Sequence, residues 1–205
     1  NNKFFHKLRF FLGDIRDYNR LLIAFNNVDI VIHAEALKQV DTAEYNPGEF
    51  IKTNILGSQN VIEAAFYNNV LKIIALSTDK ASSPINLYGA TKLCSDKLFT
   101  SANHFFGQRK FSVVRYGNVA GSRGSVIPLF LSQKNKSVFN VTNKDMTRFN
   151  ISMKDSIALV MWSIKNSFGG EIVVPKLPSY RLVDLVKAIN EKAKINIIGI
   201  REGEK

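Results

Sequence analysis

Two side chains four residues apart, Tyr88 and Lys92, are the first candidates for chemistry in this sequence. They fall in a segment with a helical pattern that starts at about Asn86, so this spacing places them on one face, about a turn apart. A phenol beside an ammonium has its ionised form favoured, so we expect the pKa of Tyr88 to be lowered toward a useful range for a base. Such a pair is common by chance on helices. The neighbouring residues must therefore show whether it is a catalytic pair or part of an ordinary helix surface.

The stretch just before this pair supplies an acid and a second amine. A short apolar run at residues 73–76 predicts a buried parallel strand, and it ends in Ser77, Thr78, Asp79 and Lys80. Open α/β sheets bind ligands at the carboxyl ends of their strands. The sequence therefore predicts a pocket where the carboxylate, the amine and the phenol meet.

The rest of the chain alternates strand and helix patterns, which is typical of an α/β fold with a parallel sheet. Strands are predicted at residues 8–12, 28–33, 73–76, 111–116, 171–174 and 195–200. Helices are predicted at residues 18–25, 50–67, 153–166 and 182–189, the second with an inner stripe of Ile51, Ile55, Val61, Ile62 and Ala65. We expect residues 1–124 to form the main domain and 125–205 a smaller lobe, with the strand near 171–174 as a candidate to rejoin the main sheet.

Composition and charge narrow the possible partners. The 205 residues carry a net charge of +11, but the basic residues are scattered and show no RNA-binding, zinc-binding or helix-turn-helix pattern. We therefore expect an anionic small molecule, no nucleic acid and no metal. The lone Cys94 forms no internal disulfide and is predicted to be a small buried side chain. No signal-peptide pattern or membrane-spanning apolar run is present, so a cytoplasmic protein is expected.

Residues 76–80 (Leu-Ser-Thr-Asp-Lys) and 86–92 (Asn-Leu-Tyr-Gly-Ala-Thr-Lys) resemble the extended short-chain dehydrogenase/reductase superfamily. More narrowly, they resemble the inverting UDP-N-acetylglucosamine 4,6-dehydratases, which begin the route to pseudaminic acid. The likeness continues in family order through residues 114–119, 121–125, 146–149 and 200–205, nearly the whole chain. It implies a Rossmann-like doubly wound parallel sheet.

The resemblance implies a lyase that borrows and returns a hydride through bound NADP, with NAD not excluded. Tyr88, aided by Lys92, would take the proton of the sugar 4-hydroxyl, and Thr78 would hydrogen-bond the 4-oxygen. Lys80 would remove the proton on carbon 5, and Asp79 would protonate the departing 6-hydroxyl. These roles need Asp79 partly protonated and Lys80 partly neutral, which a dry pocket or a relay must bring about.

The resemblance also assigns the cofactor contacts. They are Asp14 and Ile15 on the adenine side, Ala34 and Ala36 beside the ribose and pyrophosphate, Asn54 in an ordered water chain, and Tyr88 with Lys92. Glu35 stands where the family has a small residue, and a carboxylate there would repel a pyrophosphate. His33 is expected to be a packing residue rather than a catalyst.

For the UDP-sugar substrate, the resemblance assigns Lys38, Asn118, Arg123 and Arg148, the last as a guanidinium fork on the diphosphate. Glu202 replaces a proline usual in the family. The family's Gly-rich fingerprint and its amino-terminal βαβ piece are not found in this sequence, so we expect a fragment that is inactive alone, from a full-length homo-oligomer.

Three alternatives remain open at this level. A retaining 4,6-dehydratase resembles a pattern with methionine at the Tyr88 position. A 4-epimerase of the same superfamily would use Tyr88 and Lys92 but has no use for the Asp79–Lys80 pair. A non-catalytic basic module that binds nucleotides or RNA would need none of these residues.

Overall fold

The computed structural model describes residues 5–105, 107, 109–122, 124–200, 203 and 204. Its strands are β1 (Ile30–His33), β2 (Lys72–Thr78), β3 (Lys110–Tyr116), β4 (Asn118–Val119), β5 (Val138–Val141), β6 (Thr147–Ile151), β7 (Ile172–Val173), β8 (Ser179–Arg181) and β9 (Lys194–Ile197). Its α-helices are α1 (Tyr18–Ala24), α2 (Val40–Tyr45), α3 (Pro47–Phe50), α4 (Gly57–Tyr67), α5 (Leu87–Ala102), α6 (Val126–Ser132), α7 (Met153–Asn166) and α8 (Leu182–Ile189). A 3₁₀ turn covers Phe5–Lys7 and another covers Asp79–Ala81, while a π-helix covers Ile51–Leu56.

The main sheet has the order β1–β2–β3–β7, with every neighbouring pair parallel. The central strands β2 and β3 are apolar runs because both of their faces are covered by helices. One face packs on α4 and α5 through Ile73, Phe111 and Val113, and the opposite face packs on α7 through Ile74 and Val114. This layered arrangement confirms the predicted α/β Rossmann-like class.

The helix α5 begins at a well-formed cap. Asn86 is its N-cap residue, and the side-chain oxygen accepts a 2.7 Å hydrogen bond from the backbone N–H of Gly89. Asparagine is among the preferred N-cap residues because it satisfies one of the unpaired N–H groups of the first turn. The cap fixes where the helix starts, and with it which residues face the sheet.

The carboxyl-terminal part of the chain adds two smaller sheets. In one, β4 pairs in parallel with β6, and β6 pairs antiparallel with β8. In the other, β5 pairs in parallel with β9. Their shared apolar cluster, under α6 and α8, consists of Phe130, Phe139, Val141, Leu182 and Val186. The strand expected near residues 171–174 is β7, which pairs with β3 of the main sheet.

Three predicted features differ in the structure. Residues 8–12 form no strand, and the β1 side chains Ile30 and Ile32 are exposed. The single helix expected over residues 50–67 is instead α3, the π-helix and α4 in succession, and Ile51 of the expected inner stripe is exposed. Cys94 is exposed rather than buried, because it lies on the side of α5 opposite Lys92.

Candidate functional site

The carboxyl end of β2 turns sharply and gathers three of the expected catalytic side chains. Thr78 is the last strand residue, and its hydroxyl donates to Asp79 Oδ1 at 3.0 Å and accepts from the Lys80 N–H at 3.3 Å. Lys80 Nζ lies 3.2 Å from the same carboxylate oxygen and 3.5 Å from Asn118 Oδ1. Thr78, Asp79, Lys80 and Asn118 therefore form one hydrogen-bonded cluster.

The Asp79–Lys80 pair is open to solvent. The side chains are 31% and 25% exposed, respectively.

A close contact between α5 and the 3₁₀ turn brings the phenol to this cluster. A Cβ on Gly89 would collide with the carbonyl oxygen of Lys80, so only glycine permits this approach. Tyr88, the preceding residue, is buried and shares a hydrogen bond with the Thr78 hydroxyl. The helix thus places the phenol beside the acid–base pair.

The electrostatics of Tyr88 differ from the expectation. Its pKa is raised to about 12, chiefly by burial; the hydrogen bond with Thr78 acts in the lowering direction, and the negative charges of Asp79 and Asp96 act with burial. The predicted lowering by Lys92 does not appear, because that ammonium is turned to the Leu76 carbonyl oxygen, 2.9 Å away. In this state the phenol holds its proton.

Lys92 is itself buried, with only 3% of its surface exposed. Burial lowers its pKa, and the carboxylates of Asp96 and Glu35 act in the opposite direction. The protonation state of this lysine therefore depends on two opposing effects: the nearby carboxylates favour the charged form, and desolvation favours the neutral form.

A buried polar network joins the π-helix to α5. Asn54 pairs with both backbone groups of Leu37 at 2.9 Å and donates to Thr91 Oγ1 at 3.0 Å. One α-helical turn further on, Ser58 lies 2.8 Å from Ser95 Oγ. Asn54 therefore fixes the loop after β1, which carries several expected cofactor contacts.

His33 ends β1 inside this network. Its Nε2 atom lies 3.4 Å from Ser58 Oγ, and its ring packs against that of Phe99 with centroids 5.3 Å apart and planes tilted by 35°. Burial, and secondarily the charge of Lys92, lowers the pKa of His33 to about 3. The neutral, packed ring agrees with the predicted packing role of His33. The contact between Ser58 and Ser95 was not predicted, because neither serine lies in a recognisable sequence motif.

The expected adenine-side residues line a cleft of about 230 Å³ beside β1. Gly13, Asp14, Ile15, Ala34 and Glu35 are among its walls. The Ile15 side chain is buried in the core, where it packs on α4, so it closes the floor of the cleft. The cleft combines small residues, Gly13 and Ala34, with the carboxylate acceptors Asp14 and Glu35.

Charges around this cleft are closely paired. Arg16 donates to both carboxylate oxygens of Asp14, which lowers the pKa of that carboxyl to about 2. Burial and the Asp14 charge raise the pKa of Glu35, while Lys92 and Arg16 lower it. Glu35 therefore faces a mixed field, and its carboxylate is partly balanced by two cations.

The expected substrate residues are placed less closely together. Arg148 lies in β6 and forms a 2.8 Å ion pair with Glu204, a contact that sequence reasoning missed. Asn118 joins the Thr78 cluster, whereas Lys38 lies on the loop after β1, together with the expected cofactor contact Ala36. Arg123 and Glu202 lie outside the described residues.

A family model described as "Polysaccharide biosynthesis protein" matches residues 1–205. The chain belongs to this family. The match includes the acid–base cluster, the cleft and both smaller sheets.

Two curated relatives of this polysaccharide biosynthesis protein have different names. One, from Campylobacter jejuni strain 81-176, is a "UDP-N-acetylglucosamine 4,6-dehydratase (inverting)", 54% identical over 97% of this chain and 60% of its own length. The other, from Rickettsia bellii strain OSU 85-389, is a "UDP-glucose 4-epimerase", 47% identical over the same shares. The chain thus spans about 60% of the length of these curated relatives.

Solved structures agree with the fold of this family member. Pen from Bacillus thuringiensis matches with a TM-score of 0.92 and 42% identity, over 99% of this chain and 67% of that one. DesIV, a dTDP-glucose 4,6-dehydratase from Streptomyces venezuelae solved with NAD and TYD, matches with a TM-score of 0.85 and 22% identity, over 96% and 68%. Within the described ranges, every helix is too short or too polar to cross a lipid bilayer.

Proposed function

We propose that this polysaccharide biosynthesis protein is a UDP-N-acetylglucosamine 4,6-dehydratase that inverts carbon 5. The observation that carries the proposal is the cluster at the end of β2, where one Thr78 hydroxyl contacts Asp79 and Tyr88 while Lys80 lies 3.2 Å from Asp79. Removal of water from carbons 5 and 6 needs a base and an acid close together, in addition to the phenol. The similarity to the Campylobacter dehydratase supports the same reaction.

Each side chain then has one task. Tyr88 accepts the 4-hydroxyl proton when positive charge nearby lowers its pKa, and Lys92 is the cation one turn away. Lys80 removes the proton of carbon 5, and Asp79 protonates the leaving 6-hydroxyl. A sugar seated over this open pair would exclude its water and bring both groups closer to the required protonation states.

A nicotinamide cofactor, NADP or NAD, would accept a hydride from the sugar and return it. Asp14, Ile15, Ala34 and Ala36 would hold its adenosine and pyrophosphate, and Asn54 would fix the loop on which two of these lie. Tyr88 and Lys92 would contact its nicotinamide end.

The substrate contacts and the wider setting follow from this assignment. Asn118 and Arg148 would contact the UDP-sugar together with Lys38 and Arg123, and Arg148 would exchange Glu204 for the diphosphate. We assign the main domain to residues 1–124 and the substrate lobe mainly to 125–205, of which α7 and β7 join the main sheet. The product would enter surface-glycan synthesis in the cytoplasm by way of pseudaminic acid. The full-length protein is expected to be a homo-oligomer.

The test is an NMR time course of the protein at its natural full length, with UDP-N-acetylglucosamine and NADP⁺ in heavy water. A 4-keto-6-deoxy sugar with deuterium at carbon 5 and inverted configuration is the expected product. The same product without inversion would point to a retaining dehydratase. An unchanged sugar would contradict the proposal and leave a binding module.

Variants separate the acid–base pair from general effects of charge. Lys80→Met and Asp79→Asn are expected to lower kcat by about 10²–10⁴-fold, the usual contribution of a positioned acid or base. Lys136→Met, at an exposed lysine, is the matched control and should retain full activity. Equal losses in the control would show that the effect does not come from the cluster.

A 4-epimerase is the second candidate, because the Rickettsia bellii relative carries that name at 47% identity. Tyr88 and Lys92 would suffice for it. Its product in the same experiment would be the 4-epimer with no loss of water and no deuterium at carbon 5. The Lys80→Met variant would then be fully active.

A further inference from the structure

The helix α5 carries a third ionisable residue in line with Tyr88 and Lys92. Asp96 follows Lys92 by four residues, as Lys92 follows Tyr88, so the three lie on the same face of the helix. Asp96 is only 1% exposed, and none of the roles assigned above uses it. A carboxylate this deeply buried needs a partner and a reason to be kept.

Its partner comes from the neighbouring strand. Arg115 of β3 donates to Asp96 Oδ2 through Nη2 at 2.6 Å and through Nε at 3.2 Å. In the sheet, Arg115 is level with Ser77 of β2, one row before Thr78. The pair therefore ties α5 to the sheet directly beneath the acid–base cluster.

Lys92 makes a second tie in the adjacent row. Its ammonium donates to the Leu76 carbonyl, so the helix is held to β2 and β3 at neighbouring positions of the register. These two ties leave little freedom for α5 to slide or rotate. The separation of the phenol from the β2 turn is set by the same ties.

Charged and titratable groups surround the ammonium on several sides. Glu35 and His33 face it from β1 and the loop that follows, Tyr88 and Asp96 from its own helix, and Arg115 lies behind Asp96. Of the carboxylates, Asp96 is fixed by an arginine inside the core, whereas Glu35 is exposed. Of these two carboxylates, Asp96 is therefore the one that stays at a fixed position relative to Lys92 and acts on it with a constant electrostatic field.

We propose that Asp96, held by Arg115, is a positioning residue that keeps the Lys92 ammonium charged where it donates to the Leu76 carbonyl, one helical turn from Tyr88. The inference rests on the proposed function and deepens it, since Lys92 matters for catalysis only if Tyr88 and Lys92 act as assigned there. Without the Asp96 charge, a buried lysine next to an uncompensated Arg115 would lose its proton more easily.

The direct test is the titration of Lys92, followed by the ¹³Cε chemical shift of labelled lysine in the full chain and assigned with Lys92→Arg. In Asp96→Asn, which keeps the shape and an acceptor oxygen, the Lys92 midpoint should move to lower pH. Asp96→Glu should restore it, and Asp29→Asn, at an exposed carboxylate, should leave it unchanged. Circular dichroism establishes that each variant is folded.

The outcomes separate this inference from the proposed function. An unchanged Lys92 midpoint in folded Asp96→Asn would overturn the inference, whatever the activity. If wild-type protein does not dehydrate UDP-N-acetylglucosamine, the proposed function fails, while the titration still decides the role of Asp96. If it does, the alkaline limb of the kcat profile should shift to lower pH in Asp96→Asn, with KM unchanged.

Discussion

The buried His33 makes a sharp prediction about acid stability. Its ring is neutral in the folded protein because burial and the Lys92 charge lower its pKa from 6.5 to about 3. The unfolded chain binds a proton near pH 6.5, so protonation favours unfolding as the pH falls. The stabilisation is complete above pH 6.5 and is lost progressively toward pH 3.

The size of the effect follows from these two values. pH 5 lies about 1.5 units below the pKa of this histidine in the unfolded chain, whereas the folded protein does not yet bind the proton. Protonation of the unfolded state therefore lowers the free energy of unfolding by ~2 kcal/mol. A typical domain has only about 5–15 kcal/mol to lose. With a urea m-value of about 2 kcal/mol/M, the midpoint should fall by roughly 1 M.

The assay is urea unfolding followed by far-UV circular dichroism at pH 7 and pH 5. His33→Phe keeps an aromatic ring against Phe99 and loses one long hydrogen bond to Ser58, so it should fold and lose the pH-dependent fall of ~2 kcal/mol. His104→Gln, at an exposed histidine, should behave like wild type. A His33→Phe variant with the wild-type pH dependence would refute the reasoning.

Three further predictions concern the elements that hold the site. Gly89→Ala should cost roughly 1–3 kcal/mol in thermal unfolding, because the new methyl meets the Lys80 carbonyl, whereas Gly48→Ala has open space and should be neutral or stabilising. Asn86→Ala should cost about 1 kcal/mol through loss of the α5 cap, and recovery with Asp would show that the cap is the cause. Asn54→Ala should cost about 1–3 kcal/mol and speed hydrogen exchange in the loop after β1, and unchanged exchange would mean that the amide does not hold that loop.

Much of the main sheet could be predicted from local patterns. The strands β2 and β3 are apolar runs that end in polar residues, and α7 and α8 have the bounds that their periodicity predicts. The start of α5 follows from the capping preference of Asn86. The meeting of Tyr88 with the β2 turn followed from placing the helix that carries Tyr88 directly after the carboxyl end of a parallel strand.

What failed depends on contacts far apart in sequence. Residues 8–12 have a strand-like composition, but a strand needs a neighbour for its backbone groups, and composition does not supply one. The expected pKa of Tyr88 considered Lys92 alone, whereas burial has the larger effect. The Asp96–Arg115 pair joins residues from two elements, and no local spacing indicates it.

The π-helix explains a further failure and constrains the chain in another way. Its wider turns carry one more residue than an α-helix would over the same rise, which rotates Ile51 out of the expected inner stripe while Asn54 stays buried. The side chains before and after it are therefore matched by the number of residues in Ile51–Leu56. Inserting a further residue would exceed what this π-turn accommodates and would turn the preceding helix by about 100°. The segment should therefore tolerate substitutions at its exposed positions, but not an insertion.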